Sequence, residues 1–486
     1  MLKAKTLILC LLTFAFFHDR GIASTKTLDY RVGVCTHFGL SGPYLPNWNI
    51  ETLIPKVADL GAGWIRDELY WNHYEREKGV YELPARTRAW IDAANAAGIK
   101  VLLIFNGSSK LYADSYDAKA YAAAAANLAR ELKGKVGCIE ILNEPHNFGF
   151  SKYHGGEWNG VEKDGSVSPW IGKYVAFLNT AAQAIKSANP EMKVIGLGSV
   201  PPSNYRMLEM GIVPQVDGLV DHPYSMQLTA EILPWADTPG QLKRDGFVTA
   251  DQRGTFASLI RLYRAASGRY SGPREIWLTE WGFTSYQQTK PDLFAGFTEE
   301  AQAKYLQRRL VETLSLGVEY SFIYSLKNDG SLRNNAEHNF GLLNMDNSAK
   351  PGFAAVRRVL DFLRSSSRMD TAPEINVLLE NARPDEWPVT WDGAKLAAPG
   401  SIETHAFIDA EKRPVLVFWS SERAGGDLQP RVADIRIYAD WAKSDTVRAQ
   451  DLWTGETFDL PVKRQGGRVF LKGVTVPDHP IGIVFR

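Results

Sequence analysis

Cysteine is scarce in this chain, with three in 486 residues. That is too few for a disulfide scaffold, and no paired C-x-x-C offers a zinc site. H-E-x-x-H and G-x-x-x-x-G-K-[ST] are absent as well, which removes the signatures of a zinc protease and of a phosphate-binding P-loop. "GLGS", from Gly196 to Ser199, is too short to serve as a dinucleotide fingerprint. No cofactor and no metal are expected. Charge of one sign is lacking too: Lys plus Arg and Asp plus Glu both total 55. A balanced chain without a long basic run has no electrostatic footprint for nucleic acid or an anionic membrane. Beyond the first residues no apolar run approaches the ~20 residues of a membrane span, so no stable span is expected.

The N-terminus does carry a shorter apolar run, Thr6 to Phe17, behind Lys3 and Lys5 and ahead of Gly21-Ile22-Ala23. This is the three-part pattern of a secretory signal over residues 1–23, with cleavage near Ala23 and export to the periplasm or the medium as the expectation. Cys10 lies inside the run behind Leu9, which argues against a lipid anchor. Cys35 and Cys138 remain, each in a stretch that reads as a buried strand. We read them as two free thiols, a bridge in an oxidising compartment being the alternative.

From about residue 30 to 365, short apolar runs such as "VLLIF" and "VIGL" alternate with helical patterns. Continuous apolar runs are what strands covered on both faces require, and the alternation predicts a parallel α/β fold. Eight strands are expected, beginning at Arg31, Trp64, Lys100, Cys138, Lys193, Gly218, Glu275 and Tyr320. Helices are expected over Ala85–Ala97, Ala118–Leu132, Ile171–Ala188 and Glu299–Leu316, the second stopped by Gly134. Eight such units close most naturally into a (β/α)8 TIM barrel. After Ser365 the polar "SSSRMDTAPE" leads into alternating runs, "THAFID", "PVLVFWS", "DIRIYA" and "RVFLKGVTV", broken by Gly, Pro and Asp. The expected organisation is a barrel over 24–365 and an all-β, sandwich-like domain over 366–486.

In such a barrel the chemistry belongs at the C-terminal ends of the strands. Two strand ends carry a carboxylate: "CIEILNEPHN" places Asn143 and Glu144 after strand four, and "EIWLTEWGF" places Glu280, then Trp281, after strand seven. Strand-end acids often only cap the next helix. A pair on strands four and seven can instead face each other across the mouth, where retention at a glycosidic bond needs two carboxyls about 5–5.5 Å apart. Their mutual repulsion would raise the pKa of one of them.

"ILNEPH" and "IWLTEWGF" resemble the two catalytic strands of the retaining clan that includes glycoside hydrolase families 5, 10, 39 and 42. "WIRDELYWNHYEREKGVYEL" with "GIKVLLIFNG" resembles strands two and three of family 39 and its relatives, and "FGLLNMDNSAKPGFAAVRRV" is a common ending in that group. The likeness spans roughly residues 30–362. It implies Glu144 as acid/base, Glu280 as nucleophile, Asn143 at the sugar 2-hydroxyl and Arg66 near the nucleophile. His222 and Tyr224 in "DHPYS" fall where members place an imidazole or a phenol beside the nucleophile. Read from the residues alone, Arg66 could instead pair with Asp67 or Glu68, and His222 could be a packed neutral histidine.

Trp71, Asn106, Trp281, Tyr324 and Lys327 follow strands two, three, seven and eight and are candidates for substrate contact or support. The long fourth loop adds Tyr153, His154 and Trp158. The chain has 14 Trp and 19 Tyr; such rings stack on sugar faces, although most are expected in the core. The function implied is a secreted retaining glycoside hydrolase acting on a carbohydrate, leaning endo-acting because of the export signal and long aromatic loops. The alternatives are an exo-acting β-glycosidase such as a β-xylosidase, and a non-catalytic carbohydrate-binding protein on a retired barrel.

Overall fold

A computed structural model describes residues 27–40, 47–371, 373–379, 402–425, 430–438, 446–466 and 468–485. The expected signal segment, Cys10 included, lies outside these residues. Eight parallel strands close a barrel: β1 Asp29–Cys35, β2 Ala62–Tyr70, β3 Lys100–Asn106, β4 Cys138–Ile141, β5 Lys193–Ser199, β6 Gly218–Asp221, β7 Glu275–Trp281 and β8 Tyr320–Ile323. A main helix follows each: α1 Ile50–Leu60, α2 Ala85–Ala96, α3 Ala118–Glu131, α4 Pro169–Ala188, α5 Pro201–Met210, α6 Phe256–Tyr270, α7 Glu299–Ser315 and α8 Pro351–Phe362. Local chemistry marks the helix ends. The Asn49 side chain accepts from Thr52 N at 2.9 Å to start α1, and Gly61, at φ 90°, ends it in a left-handed turn.

The apolar runs are buried on two sides, as their composition demands. In β3, Val101, Leu103 and Phe105 pack outward under the helices, while Leu102 and Ile104 fill the barrel with Trp64, Trp277 and Phe322. Each such side chain contributes roughly 1.5–3 kcal/mol by leaving water. Cys35 and Cys138 belong to the interior cluster as buried free thiols.

Beyond α8 the chain forms a separate nine-stranded antiparallel sheet that curls on itself like a sandwich. Its strands are β9 Ser367–Arg368, β10 Glu374–Leu379, β11 Ile402–Ile408, β12 Pro414–Ser420, β13 Arg431–Tyr438, β14 Thr446–Asp451, β15 Thr457–Gln465, β16 Arg468–Val476 and β17 Ile481–Phe485. The spatial order is β9-β11-β12-β17-β14-β15-β16-β13-β10. Alternate residues such as Ala433, Ile435 and Ile437 of β13 face its own core. The sheet docks on α7, every residue of which from Ala301 to Leu314 is buried.

Candidate active site

The C-terminal ends of the barrel strands surround a cavity of about 580 Å³, a size typical of small-ligand sites. Along β2 the two-residue period carries Trp64 to the barrel floor and Arg66, Glu68 and Tyr70 up the cavity wall. β4 stops at Ile141, and the chain then turns through left-handed backbone at Leu142 (φ 62°) and Glu144 (φ 42°). Non-glycine residues there cost about 1–3 kcal/mol each, and here the strain aims Glu144 into the cavity. β7 solves the same problem with a bulge. Its register against β8 shifts between Ser321 and Ile323, so Thr279 and Glu280 both reach the barrel axis.

Arg66 is the hub. It is 3% exposed and donates to both oxygens of the buried Glu140, at 2.8 and 3.0 Å, to Glu280 Oε2 at 2.9 Å and to Asn143 Oδ1 at 2.7 Å. Of the two expectations for Arg66, the contact with Glu280 is the one formed. Asp67 instead accepts from Thr36 Oγ1 and from the backbone of Phe38 and Gly39. Because a guanidinium can only donate, Asn143 must present its oxygen to Arg66, which leaves its NH2 for the cavity. The second Glu280 oxygen accepts from Tyr224 Oη at 2.6 Å. Burial, then the Glu280 charge, push the Tyr224 phenol well above its usual range, so it stays a donor.

One carboxylate oxygen of Glu144, one ring nitrogen of His222 and one carboxylate oxygen of Glu280 lie within 4.8 Å of one another. This spacing falls on the retaining side of the rule for glycosidase carboxyls. Three such atoms could also ligate a small cation. Yet Arg66 and Tyr224 already occupy the Glu280 oxygens, and His222 Nδ1 is 2.9 Å from Glu144 Oε1. Burial pushes Glu144 up, but the hydrogen bond and charge of His222 outweigh it and leave the carboxyl at about 2. Burial lowers His222 in turn, and the charges of Glu280 and Glu144 more than compensate, raising it. Simple repulsion between two acids therefore does not leave Glu144 protonated here, because an imidazole stands against it.

Asn106 and Tyr324 also line the cavity; Asn106 donates to Glu68 Oε2 at 2.9 Å and Tyr324 Oη to Asp329 Oδ2 at 3.1 Å. Three expected contacts are corrected. Trp71 turns into the core at the start of a four-residue helix, where its Nε1 donates to Glu75 at 2.6 Å and its ring stacks on Tyr112. Trp281 is 1% exposed and donates to Ser321 Oγ, because past the bulge its side chain faces the helices. Lys327 is buried and ties Asn47 O at 2.6 Å. In the fourth loop, Tyr153 and His154 pack on Tyr116, and Trp158 packs on Trp235.

Other residues also build the site. Glu140 sits in an apolar strand, where an acid at an inward position signals a buried partner. Phe148, 55% exposed, and Leu293, 59% exposed, line the rim. His37 joins the wall from the end of β1, paired with Asp329 at 3.2 Å.

Residues 28–228 match the family described as cellulase (glycosyl hydrolase family 5). Among curated proteins none matches. Among solved structures, the chain is similar to a family 39 glycoside hydrolase from Bacteroides cellulosilyticus WH2. The identity is 21%, the TM-score 0.66, and the likeness covers 94% of this chain and 81% of that one. It is also similar to a glucosidase from Croceicoccus marinus, at 14% identity and TM-score 0.51, covering 94% of this chain and all of that one (100%).

Proposed function

Starting from a clan A glycoside-hydrolase barrel related to the family 5 and family 39 folds, we propose that this protein is an exported retaining glycoside hydrolase that cleaves a polysaccharide by double displacement. Glu280 is the nucleophile and Glu144 the acid/base. The observation that carries the reading is the approach of the two carboxylates to within 4.8 Å at one cavity. Glu280 attacks the anomeric carbon as the leaving oxygen takes a proton from the Glu144 side, forming a glycosyl-enzyme. Glu144 then takes a proton from water, whose oxygen displaces Glu280 and restores the original anomeric configuration. Arg66 and Tyr224 hold the attacking carboxylate in one rotamer. The free NH2 of Asn143 is a donor for the sugar 2-hydroxyl, where a hydrogen bond strengthens as positive charge develops.

Endo action is supported by the exposed Phe148 and Leu293, which give the cavity an apolar rim open to solvent. Exo action, as in a β-xylosidase, is the rival, and product sizes from an oligosaccharide digest decide between them. A panel of polysaccharides, bacterial exopolysaccharides included, tests the activity itself. Turnover that survives in Glu280→Gln, or no labelling of Glu280 by a 2-fluoro glycoside of the sugar that is cleaved, overturns the mechanism. Export through residues 1–23 belongs to the same proposal. It predicts that the mature protein recovered outside the cytoplasm begins just after Ala23.

A further inference from the structure

The surroundings of His222 dictate where its hydrogens lie. Glu140 is fully buried, and a carboxylate can only accept. Thr279 Oγ1, 3.2 Å from Glu140 Oε1, therefore uses its hydroxyl hydrogen there. The Thr279 oxygen is left as an acceptor, 3.0 Å from His222 Nε2, so Nε2 carries a hydrogen. Arg66 Nη2 lies 3.5 Å from the same nitrogen but does not compete. Its two hydrogens are engaged by Glu140 Oε1 at 3.0 Å and Asn143 Oδ1 at 2.7 Å.

With Nε2 a donor, two protonation states fit the 2.9 Å contact between Nδ1 and Glu144 Oε1. One is an imidazolium against a carboxylate. The other is a neutral imidazole accepting from a protonated Glu144. Each keeps one proton between Nδ1 and Oε1. The remaining state, a neutral ring with hydrogen on Nδ1 only, would set the Nε2 lone pair against the Thr279 oxygen.

We infer that Thr279 and Glu140 are positioning residues that fix the tautomer of His222, so that one transferable proton is stored at the contact between His222 Nδ1 and Glu144. The use of that proton rests on the hydrolase reading above; its location does not. In the first displacement the proton passes from the pair to the leaving oxygen, leaving neutral His222 with hydrogen on Nε2 beside the Glu144 anion. In the second, water gives a proton back to the pair as its oxygen bonds to the anomeric carbon and Glu280 departs as carboxylate. The pair is then restored with no net change. The groups facing it are Arg66 from β2, Glu140 from β4, His146 and Asn147 from the loop of Glu144, and Thr279 and Glu280 from β7. Asn147 donates to Glu144 Oε2 at 3.1 Å, and burial drives His146 down to about 4, so it brings no competing charge.

The test needs no substrate. The full chain is labelled with 15N-histidine, and the His222 ring signals are identified by their loss in His222→Gln. Between about pH 5 and 8 the free wild-type protein is expected to show Nε2 protonated throughout. Thr279→Val removes the acceptor of the Nε2 hydrogen: it should shift the Nε2 signal of the imidazolium and, where the ring is neutral, move the hydrogen to Nδ1, and Thr279→Ser should restore the wild-type pattern. A wild-type ring protonated on Nδ1 alone overturns the proposal, and so does a Thr279→Val spectrum identical to wild type. Should Thr279→Val fail to fold, the wild-type spectrum decides alone. Failure to cleave any glycan would count against the hydrolase reading and leave these spectra unaffected.

Discussion

Two networks of buried charge flank the barrel, one at its mouth and one where α7 meets the C-terminal sheet, and they are built to opposite ends. At the sheet interface Arg308 donates to both oxygens of Glu231, at 2.7 and 2.6 Å, while Trp419 Nε1 donates to the same carboxylate at 2.8 Å. The remaining Arg308 hydrogens go to the carbonyls of Ser421, Glu422 and Asp478. The pair is sealed, at 0% and 3% side-chain exposure. At the mouth Arg66 is equally buried, yet Glu144 and Glu280 keep 15% and 14% exposure. Their loops accept bulged and left-handed backbone to do so. A saturated network holds two units together; an incompletely closed one keeps groups available to a substrate.

The largest expected effect separates the networks most sharply. Glu280→Gln should lower turnover by about 10⁴-fold or more, and Glu144→Gln by about 10²- to 10⁴-fold, both in variants that stay folded with only a small shift of the thermal midpoint. A large fall in the midpoint of either would mean that the mouth is as structural as the interface. Next comes Arg66→Met, which strands Glu140 in the core. It should cost about 3–5 kcal/mol in denaturant titration and abolish activity as well. Arg308→Met, leaving Glu231 unpaired, should cost a similar ~3–5 kcal/mol while activity per folded molecule is retained. Lost activity in the folded variant would erase the distinction. The smallest effect is a pH dependence at the interface. Burial raises Asp478, but hydrogen bonds from His479 and Lys304 outweigh this and hold it at about 2. A depressed carboxyl gives stability that is full above its ordinary value near ~3.9 and is lost as pH falls through the folded value. His479, raised by Asp451 and Asp478 against its burial, gives stability that is full below its ordinary value and lost as pH rises through the folded one. The wild-type midpoint should therefore fall more steeply between about pH 4 and 2 than that of Asp478→Asn.

The barrel strands were legible in sequence because short runs dominated by apolar residues, such as "VLLIF" and "VIGL", alternate with helical patterns, as doubly covered strands require. Glu144 and Glu280 were legible because each interrupts such a run at its end. Glu140 was not, since a single acid inside "CIEIL" is overlooked when the segment is judged by average hydropathy. The bulge at Glu280 was hidden too, and with it the outward turn of Trp281, because a register shift is a property of two strands. Trp71 and Lys327 misled for a related reason: a residue type suited to sugar contact says nothing about which way its backbone points it. The residues of the interface were less visible. "EEAQAKYLQRRLVETLS" is legible as a helix, but its many charged and polar side chains give no sign of burial, and only the partners from another part of the chain explain it.

That helix has a consequence for how the molecule comes apart. Gln307 Nε2 donates to Leu452 O at 2.6 Å, Tyr305 Oη accepts from Ala424 N, and Lys304 reaches Asp478 at 2.9 Å. Excising the sheet would hand water a stripe of polar groups stripped of their counterparts and a set of apolar ones with nothing to lie against. The chain should consequently lose its structure in one calorimetric step, with the eight-stranded half unable to outlive its companion.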